Sequence, residues 1–224
     1  MQLFFLLISA TLAFNAVLIA LLAWAYHSPR FVGHRISMTN SMREPWKKRI
    51  RVMSTTSALS LVAVFGGSYV FYRGLVVDGE VGVWTVLRET VLVLLVYDFT
   101  YYFLHRVMHI KKVMRWVHGV HHRARNPSAL ESFYLDPIEL FAGLGLMFAS
   151  TWAVGPVHVA SFGLVFFVYS TLNILVHSGL EFRKPLLGPV DFLARKHHVH
   201  HMVDFGKNYS SLTPLPDLLF GTTG

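Results

Sequence analysis

Apolar runs separated by polar, mostly basic segments set the pattern of this chain. Residues 3–25 carry no charge. They are long enough to cross a hydrocarbon core of about 30 Å as a helix, which takes roughly 20 residues. No basic residue precedes this run and no small-residue cleavage site follows it, so it reads as an uncleaved span rather than a signal peptide. A shorter run, 58–72, holds the pair Gly66-Gly67, which tolerates close helix packing. The run 83–104 carries Arg88 and Glu89 near one end and Asp98 toward the other. Runs 138–154 and 157–176 are split by Gly155-Pro156, a strong breaker, and predict a hairpin of two helices. Whether that hairpin crosses fully decides between four spans and five.

Composition excludes a soluble globule. Of 224 residues, 54% are hydrophobic and only 14% charged, against about 25% charged in an ordinary soluble domain. Cysteine is absent, which rules out disulfides, thiolate haem, iron–sulfur ligation and Cys-based zinc fingers. The net charge of +8 follows membrane topology rather than nucleic acid. Seven Lys and Arg lie between 30 and 51, six between 106 and 125 and five between 183 and 207, with only Arg73 and Arg88 elsewhere. Alternate threading puts all three basic segments on one face and the N-terminus on the other. Positive charge marks the cytoplasmic side, and the same segments can grip anionic lipid heads. The expected fold is all-α, an integral membrane bundle of four to five apolar helices with a cytoplasmic histidine-rich helical cap. Residues 1–82 form its N-terminal helices and basic loop, and 83–224 the catalytic part. The missing cysteine and short loops fit a bacterial inner membrane. No internal repeat, G-x-G-x-x-G or P-loop is present, so no dinucleotide site is expected.

The remaining anomaly is 13 histidines, against 12 Asp and Glu together. His27, His34 and His158 are expected to be solvated or interfacial. The others fall between 105 and 201, nearly all in three tight groups. His105 and His109 share a helix face at the cytoplasmic end of the third run. In His118-Gly-Val-His121-His122, both later rings neighbour His118 but differ by about 100° of rotation, so they can address two metals. His109 and His118 are about 180° apart on a straight helix. One site for both groups requires a break or bend within 110–117, where Lys111, Lys112 and Arg115 draw the chain into water. The third group, 197–201, repeats the H-x-x-H-H spacing in His197, His200 and His201 and leaves His198 as the extra, outer ring. His177 stands alone, but it ends the last apolar run on the face where the three groups emerge. Nine imidazoles can therefore converge: His105, His109, His118, His121, His122, His177, His197, His200 and His201. One ion takes at most about six ligands, so nine donors imply two metals, and neutral imidazole suits iron, copper and zinc. Two redox metals facing an apolar slot suit oxygen activation against a C–H bond.

The motifs resemble the fatty acid hydroxylase / sterol desaturase superfamily of integral-membrane, non-haem di-iron enzymes. The matching stretches are D-F-T-Y-Y-F-L-H-R-V-M-H at 98–109, H-G-V-H-H at 118–122, D-P-I-E at 136–139, N-I-L-V-H-S-G at 173–179 and H-H-V-H-H at 197–201. The tail N-Y-S-S-L-T-P-L-P-D-L-L-F-G-T at 208–222 also fits. The resemblance implies that the nine histidines bind two iron ions, which activate dioxygen with electrons from a separate donor. Many members have His-Pro where this chain has Asp136-Pro137, so Asp136 is not counted as a ligand. Pro216, rather than the Trp often found in relatives, precedes the tail aspartate.

Ligating imidazoles usually donate their other N–H to a carboxylate or carbonyl. Asp98, Asn173, Glu139, Asn208 and Asp217 are the candidates for this outer layer. Asp98 inside an apolar span is costly and therefore a functional candidate, and Arg88 and Glu89 are expected at the far interface. The expected activity is hydroxylation or desaturation of a lipid (fatty acyl, sterol or related isoprenoid) that arrives through the bilayer. Phe133, Tyr134, Phe166, Phe167 and Tyr169 are candidates for the slot, and the electron donor is expected to be ferredoxin- or cytochrome-like. The rival classes are a membrane metal-binding or metal-transport protein and a catalytically inactive lipid-binding relative. Transport needs ligating groups along the spans, whereas here the histidines gather on one side.

Overall fold

A computed structural model describes residues 1–38 and 44–224. Five helices are long and apolar enough to cross a membrane: α1 (Gln2–His27), α2 (Trp46–Leu75), α3 (Val83–Met108), α5 (Pro137–Val154) and α6 (Val159–Val176). Between and after them lie the single turn α4 (Lys111–Val113), α7 (Gly188–Met202) and α8 (Leu215–Leu219). Among the described residues Gly155 at φ +107 and the following proline divide the last apolar stretch into two 18-residue helices, each long and apolar enough to cross.

Helix α2 starts twelve residues before its apolar run, at Trp46. Its first turns, Lys47 to Arg51, are good helix formers with nothing to stop them, so the helix continues past the hydrocarbon. Thirty residues span about 45 Å, and the extra turns extend the wall on the histidine side.

Helix α1 packs on α6, α2 on α5, and α3 on both. Gly67 and Gly163 make two of these approaches possible. A Cβ on Gly67 would lie 2.6 Å from the Phe148 ring, and one on Gly163 would lie 2.8 Å from Leu7. Gly66 meets nothing, so only half of the glycine pair works as a contact. Helices α1 and α2 meet at one end, where Phe4 abuts Tyr72 and Phe5 stacks on Phe65. The outer surface carries exposed Leu6, Val17, Val62, Val70, Trp84 and Trp152. A continuous apolar exterior of this kind has no place in water, and the protein is a multi-pass membrane protein.

One end of the bundle is laced by backbone. β1 (Val76–Val77) pairs in parallel with β2 (Val157–His158), and the Met1 amine lies 3.6 Å from Asp78. His158, expected to be solvated, is buried here. Its Nδ1 accepts the Ala160 amide, so Nε2 carries the proton and donates to the Gly79 carbonyl at 3.0 Å. Capping a helix and bridging two loops gives this ring its partners, and it no longer needs water. Glu89 lies at the same end, accepting from the His158 amide and the Ser161 hydroxyl. His34 is half-buried rather than free, with Nδ1 donating to the Glu181 carbonyl at 2.7 Å. His27 is exposed as expected. The basic segments gather at the opposite end from this lacing, as alternate threading requires. Arg43, one of the seven basic residues of the first segment, lies outside the described residues.

Candidate metal centre

The histidine end is built by breaking a helix. Helix α3 carries His105 in its last turn and is capped by His109. Ile110 then turns extended (ψ 130), α4 follows, and residues Met114–His118 wind as a wider π-helical turn closed by the Gly119 amide on the Met114 carbonyl at 2.7 Å. This is the interruption required within 110–117, and it returns His118 to the face of His105 and His109. A 3-10 turn, His121–Arg123, presents the next two rings. Helix α6 ends at His177, and α7 carries His197, His200 and His201 on adjoining turns.

These nine rings form two adjoining groups. His105, His109, His118, His122 and His200 make a group of five, and His121, His177, His197 and His201 a group of four. Within each group the ligating atoms all lie within 4.8 Å of one another. His198 is half-buried and belongs to neither.

Hydrogen bonding fixes which ring nitrogen is bare. His105 Nδ1 donates to the Tyr209 carbonyl (2.7 Å), His200 Nδ1 to Lys207 (2.6 Å), His177 Nδ1 to Asn173 (2.6 Å) and His201 Nδ1 to Ala124 (3.1 Å). His121 Nδ1 makes a longer bond to the Tyr134 carbonyl at 3.4 Å. Carbonyls only accept, so these rings carry hydrogen on Nδ1 and a lone pair on Nε2.

The Nε2 atoms face each other. The separations are 3.0 Å for His105–His118 and His118–His122, and 3.1 Å for His109–His200, all in the group of five. In the group of four they are 3.1 Å for His121–His177 and His121–His201, and 2.8 Å for His177–His197. In His121–His177 and His121–His201 both Nε2 atoms are bare, and lone pairs this close repel unless a cation lies among them. Donors at right angles on an ion, each about 2.1 Å from it, are about 3.0 Å apart, whereas tetrahedral donors are about 3.4 Å apart. Each donor set therefore fits a metal ion held by several neutral imidazoles.

Burial keeps the rings neutral. It pushes His109, His118 and His121 down to about 3 and His177 to about 4, from an ordinary 6.5. His122, His197, His200 and His201 are displaced downward by the same cause. A neutral imidazole is the form that ligates.

A cavity of about 590 Å³ runs from among the spans to both groups, touching His105, His121, His177 and His197. Its apolar wall includes Leu12, Ile19, Val64, Leu144 and Phe166, and Tyr97, Tyr101 and Tyr169 add hydroxyls. Of the aromatic residues expected there, Phe133, Phe166 and Tyr169 line it. Tyr134 and Phe167 do not. Tyr134 is packed inside with its carbonyl toward His121, and Phe167 turns out against Phe14 on α1, at 5.3 Å between ring centres. Tyr97 and Tyr101 went unnoticed in the sequence, although they precede His105 by eight and four residues and so share its helix face.

The five outer-layer candidates divide in two. Glu139 lines the cavity and brings Oε1 to 2.9 Å from His118 Nδ1, without the alignment of a hydrogen bond. Asn173 also lines the cavity and serves His177 through its backbone carbonyl. Asp98, Asn208 and Asp217 bond to backbone and side chains of 196–224 rather than to an imidazole. Asp98 accepts from the Ser211, Leu212 and Thr213 amides, and Asp217 from those of Tyr209 and Ser210. The Asn208 side chain donates to the Lys196 carbonyl at 3.1 Å. Lys196, also missed in the sequence, is buried with Nζ 2.8 Å from Asp217. Asp136 caps α5 by accepting the Ile138 amide.

The fatty acid hydroxylase family model matches residues 90–222. Methylsterol monooxygenase 1 of Rattus norvegicus is 33% identical over 132 residues, covering 56% of this chain and 43% of that protein. Very-long-chain aldehyde decarbonylase GL1-11 of Oryza sativa subsp. indica is 36% identical over 152 residues, 62% of this chain and 54% of that protein. A cholesterol 25-hydroxylase-like protein of Caenorhabditis elegans is 31% identical over 123 residues, 54% of this chain and 41% of that protein. The chain spans about half the length of the curated relatives it matches. No solved structure matches it. All nine clustered histidines fall inside the matched region, and the chain belongs to the fatty acid hydroxylase family, whose members are iron-dependent, lipid-modifying membrane oxidoreductases.

Proposed function

We propose that this protein is a di-iron oxygenase that hydroxylates or desaturates a lipid taken from the bilayer. One observation carries the reading: nine imidazoles with inward-facing Nε2 atoms gather in groups of five and four, and a cavity that opens among membrane spans reaches both groups. In this reading each group holds one iron ion. His105, His109, His118, His122 and His200 serve one, and His121, His177, His197 and His201 the other. Residues 83–224 supply all of these ligands, while 1–82 contribute the spans that wall the slot.

Bound iron supplies the reduction of dioxygen and the oxidation of an unactivated C–H bond. The balance for hydroxylation is one lipid C–H, one dioxygen, two electrons and two protons giving one alcohol and one water. Desaturation consumes the same reagents, removes two hydrogens and gives two waters. The chain's own residues provide the setting. Carbonyls of Tyr209, Lys207, Asn173 and Ala124 hold the Nδ1 protons and so keep the Nε2 donors aimed. The apolar wall excludes water and places a lipid chain against the His121 and His177 side. A displacement of the reacting carbon by about an ångström is enough to change the outcome. Electrons come from a separate ferredoxin- or cytochrome-like donor, steered by the basic segments. We assign the histidine end to the cytoplasmic side from those same segments, and the missing cysteine and short loops fit a bacterial inner membrane.

Two measurements test this. The full chain, loaded with ferrous iron, should hold two irons; fewer than two contradicts the assignment. Lipids from cells with and without the gene should differ in one class of alcohol or alkene, and an identical profile overturns the oxygenase reading.

A further inference from the structure

Residues 207–213 run over the group of five as a strap. Two of its carbonyls, Tyr209 and Lys207, receive the Nδ1 protons of His105 and His200. Between them Asn208 occupies the left-handed region at φ +60, which asparagine tolerates better than most residues.

The strap is fastened twice. Asp98 accepts the amides of Ser211 (3.0 Å), Leu212 (2.8 Å) and Thr213 (3.0 Å), and the Thr213 hydroxyl (2.6 Å). Asp217 accepts the amides of Tyr209 (2.8 Å) and Ser210 (3.0 Å), and the hydroxyls of Ser210 (2.5 Å) and Thr222 (2.8 Å). Lys196 adds its ammonium to the second clasp, 2.7 Å from the Ser210 carbonyl and 2.8 Å from Asp217. Both carboxylates are completely buried. A carboxylate in a membrane span is costly, and four converging donors at Asp98 offset that cost.

Three rings of the group of four take their Nδ1 partners outside the strap. His177 is held by the carbonyl of Asn173 on its own helix, and His201 and His121 by Ala124 and Tyr134.

We infer that Asp98 and Asp217 are positioning residues acting through the strap, and that the strap controls metal occupancy of the group of five alone. This rests on the reading that each group holds one iron. With both clasps closed, His105 and His200 cannot turn. With one open, their carbonyl partners drift, and only His109, His118 and His122 stay fixed.

The test uses the full chain in lipid nanodiscs, loaded with ferrous iron. Asp98→Asn keeps the size but turns one acceptor oxygen into a donor against Thr213. Its iron content should fall from two per chain to one, and the Mössbauer spectrum should change from a coupled pair to a single high-spin site. Asp217→Asn should act in the same direction. Glu89→Gln alters a carboxylate on the same helix, α3, at the opposite end, and should keep two coupled irons. If Asp98→Asn does not fold, Thr213→Val removes one donor and should weaken the second iron about tenfold. Two coupled irons in folded Asp98→Asn, or equal loss in Glu89→Gln, overturns the proposal and leaves the di-iron reading standing. Fewer than two irons in the unaltered protein removes both.

Discussion

The two histidine groups have the same donors and different supports. Three of the four rings in one group lean on carbonyls of 124–177, next to the cavity. Two of the five rings in the other lean on the strap, which two buried carboxylates hold down. The first rests on helix α6 at Asn173 and on the connecting segment at Ala124 and Tyr134. The second needs a further segment to close over it. Identical side chains at similar spacing can thus make one site that is part of the bundle and one that depends on an added clasp.

Removing one donor from each group should give the largest contrast. His121→Ala leaves three donors beside the cavity and should lose that iron, with turnover reduced more than about 100-fold. His109→Ala leaves four donors and should keep two irons at saturating metal. Equal iron loss in the two variants breaks the comparison. Glu139→Leu comes next. It deprives His118 of its nearby carboxylate and should weaken iron in the group of five by about 10–100-fold, leaving the other occupied; metal titration followed by spectroscopy reads this directly. Gly143→Leu should act on the cavity side only. Gly143 lines the slot with the Tyr169 hydroxyl 3.8 Å from the Cβ position. The variant should raise KM for long lipids about tenfold with iron content unchanged, and altered iron content would break the separation of slot from metal.

The smallest effect is the pH response of the metal-free protein. Burial holds His109, His118 and His121 near 3 and His177 near 4, below the ordinary 6.5. Their neutral rings favour the fold fully above about pH 6.5, and that contribution is lost as pH falls toward 4. The melting temperature should fall between pH 7 and pH 5, because the unfolded chain takes up protons that the buried rings refuse. Asp98→Asn, with two rings released toward water, should show a shallower fall. Parallel curves would mean that the strap does not enclose those rings.

Much of this was legible in the chain. The apolar helices follow from uncharged runs, the break between the last two from Gly155-Pro156, and the gathering of nine imidazoles from their helix spacing plus a required break after His109. The supports were not legible. Tyr209, Lys207 and Ala124 act through carbonyls, which every residue carries, so no side-chain pattern marks them. Asp98 stood out because a carboxylate in a span needs partners, but its partners are amides more than a hundred residues away. His158 misled because a lone polar ring beside a breaker reads as wet until the loop it bridges, at Gly79, is known. Tyr97 and Tyr101 are legible too, since they share the His105 face at four-residue spacing.

Helices α1 and α2 both border the cavity, touch through Phe4–Tyr72 and Phe5–Phe65 at the laced end, and take their main support from α6 and α5. Such a pair is a doorframe joined at the top. A tail sliding sideways between its posts would leave hydrocarbon only for hydrocarbon, and the ions would be reached without the molecule ever being lifted out of its leaflet.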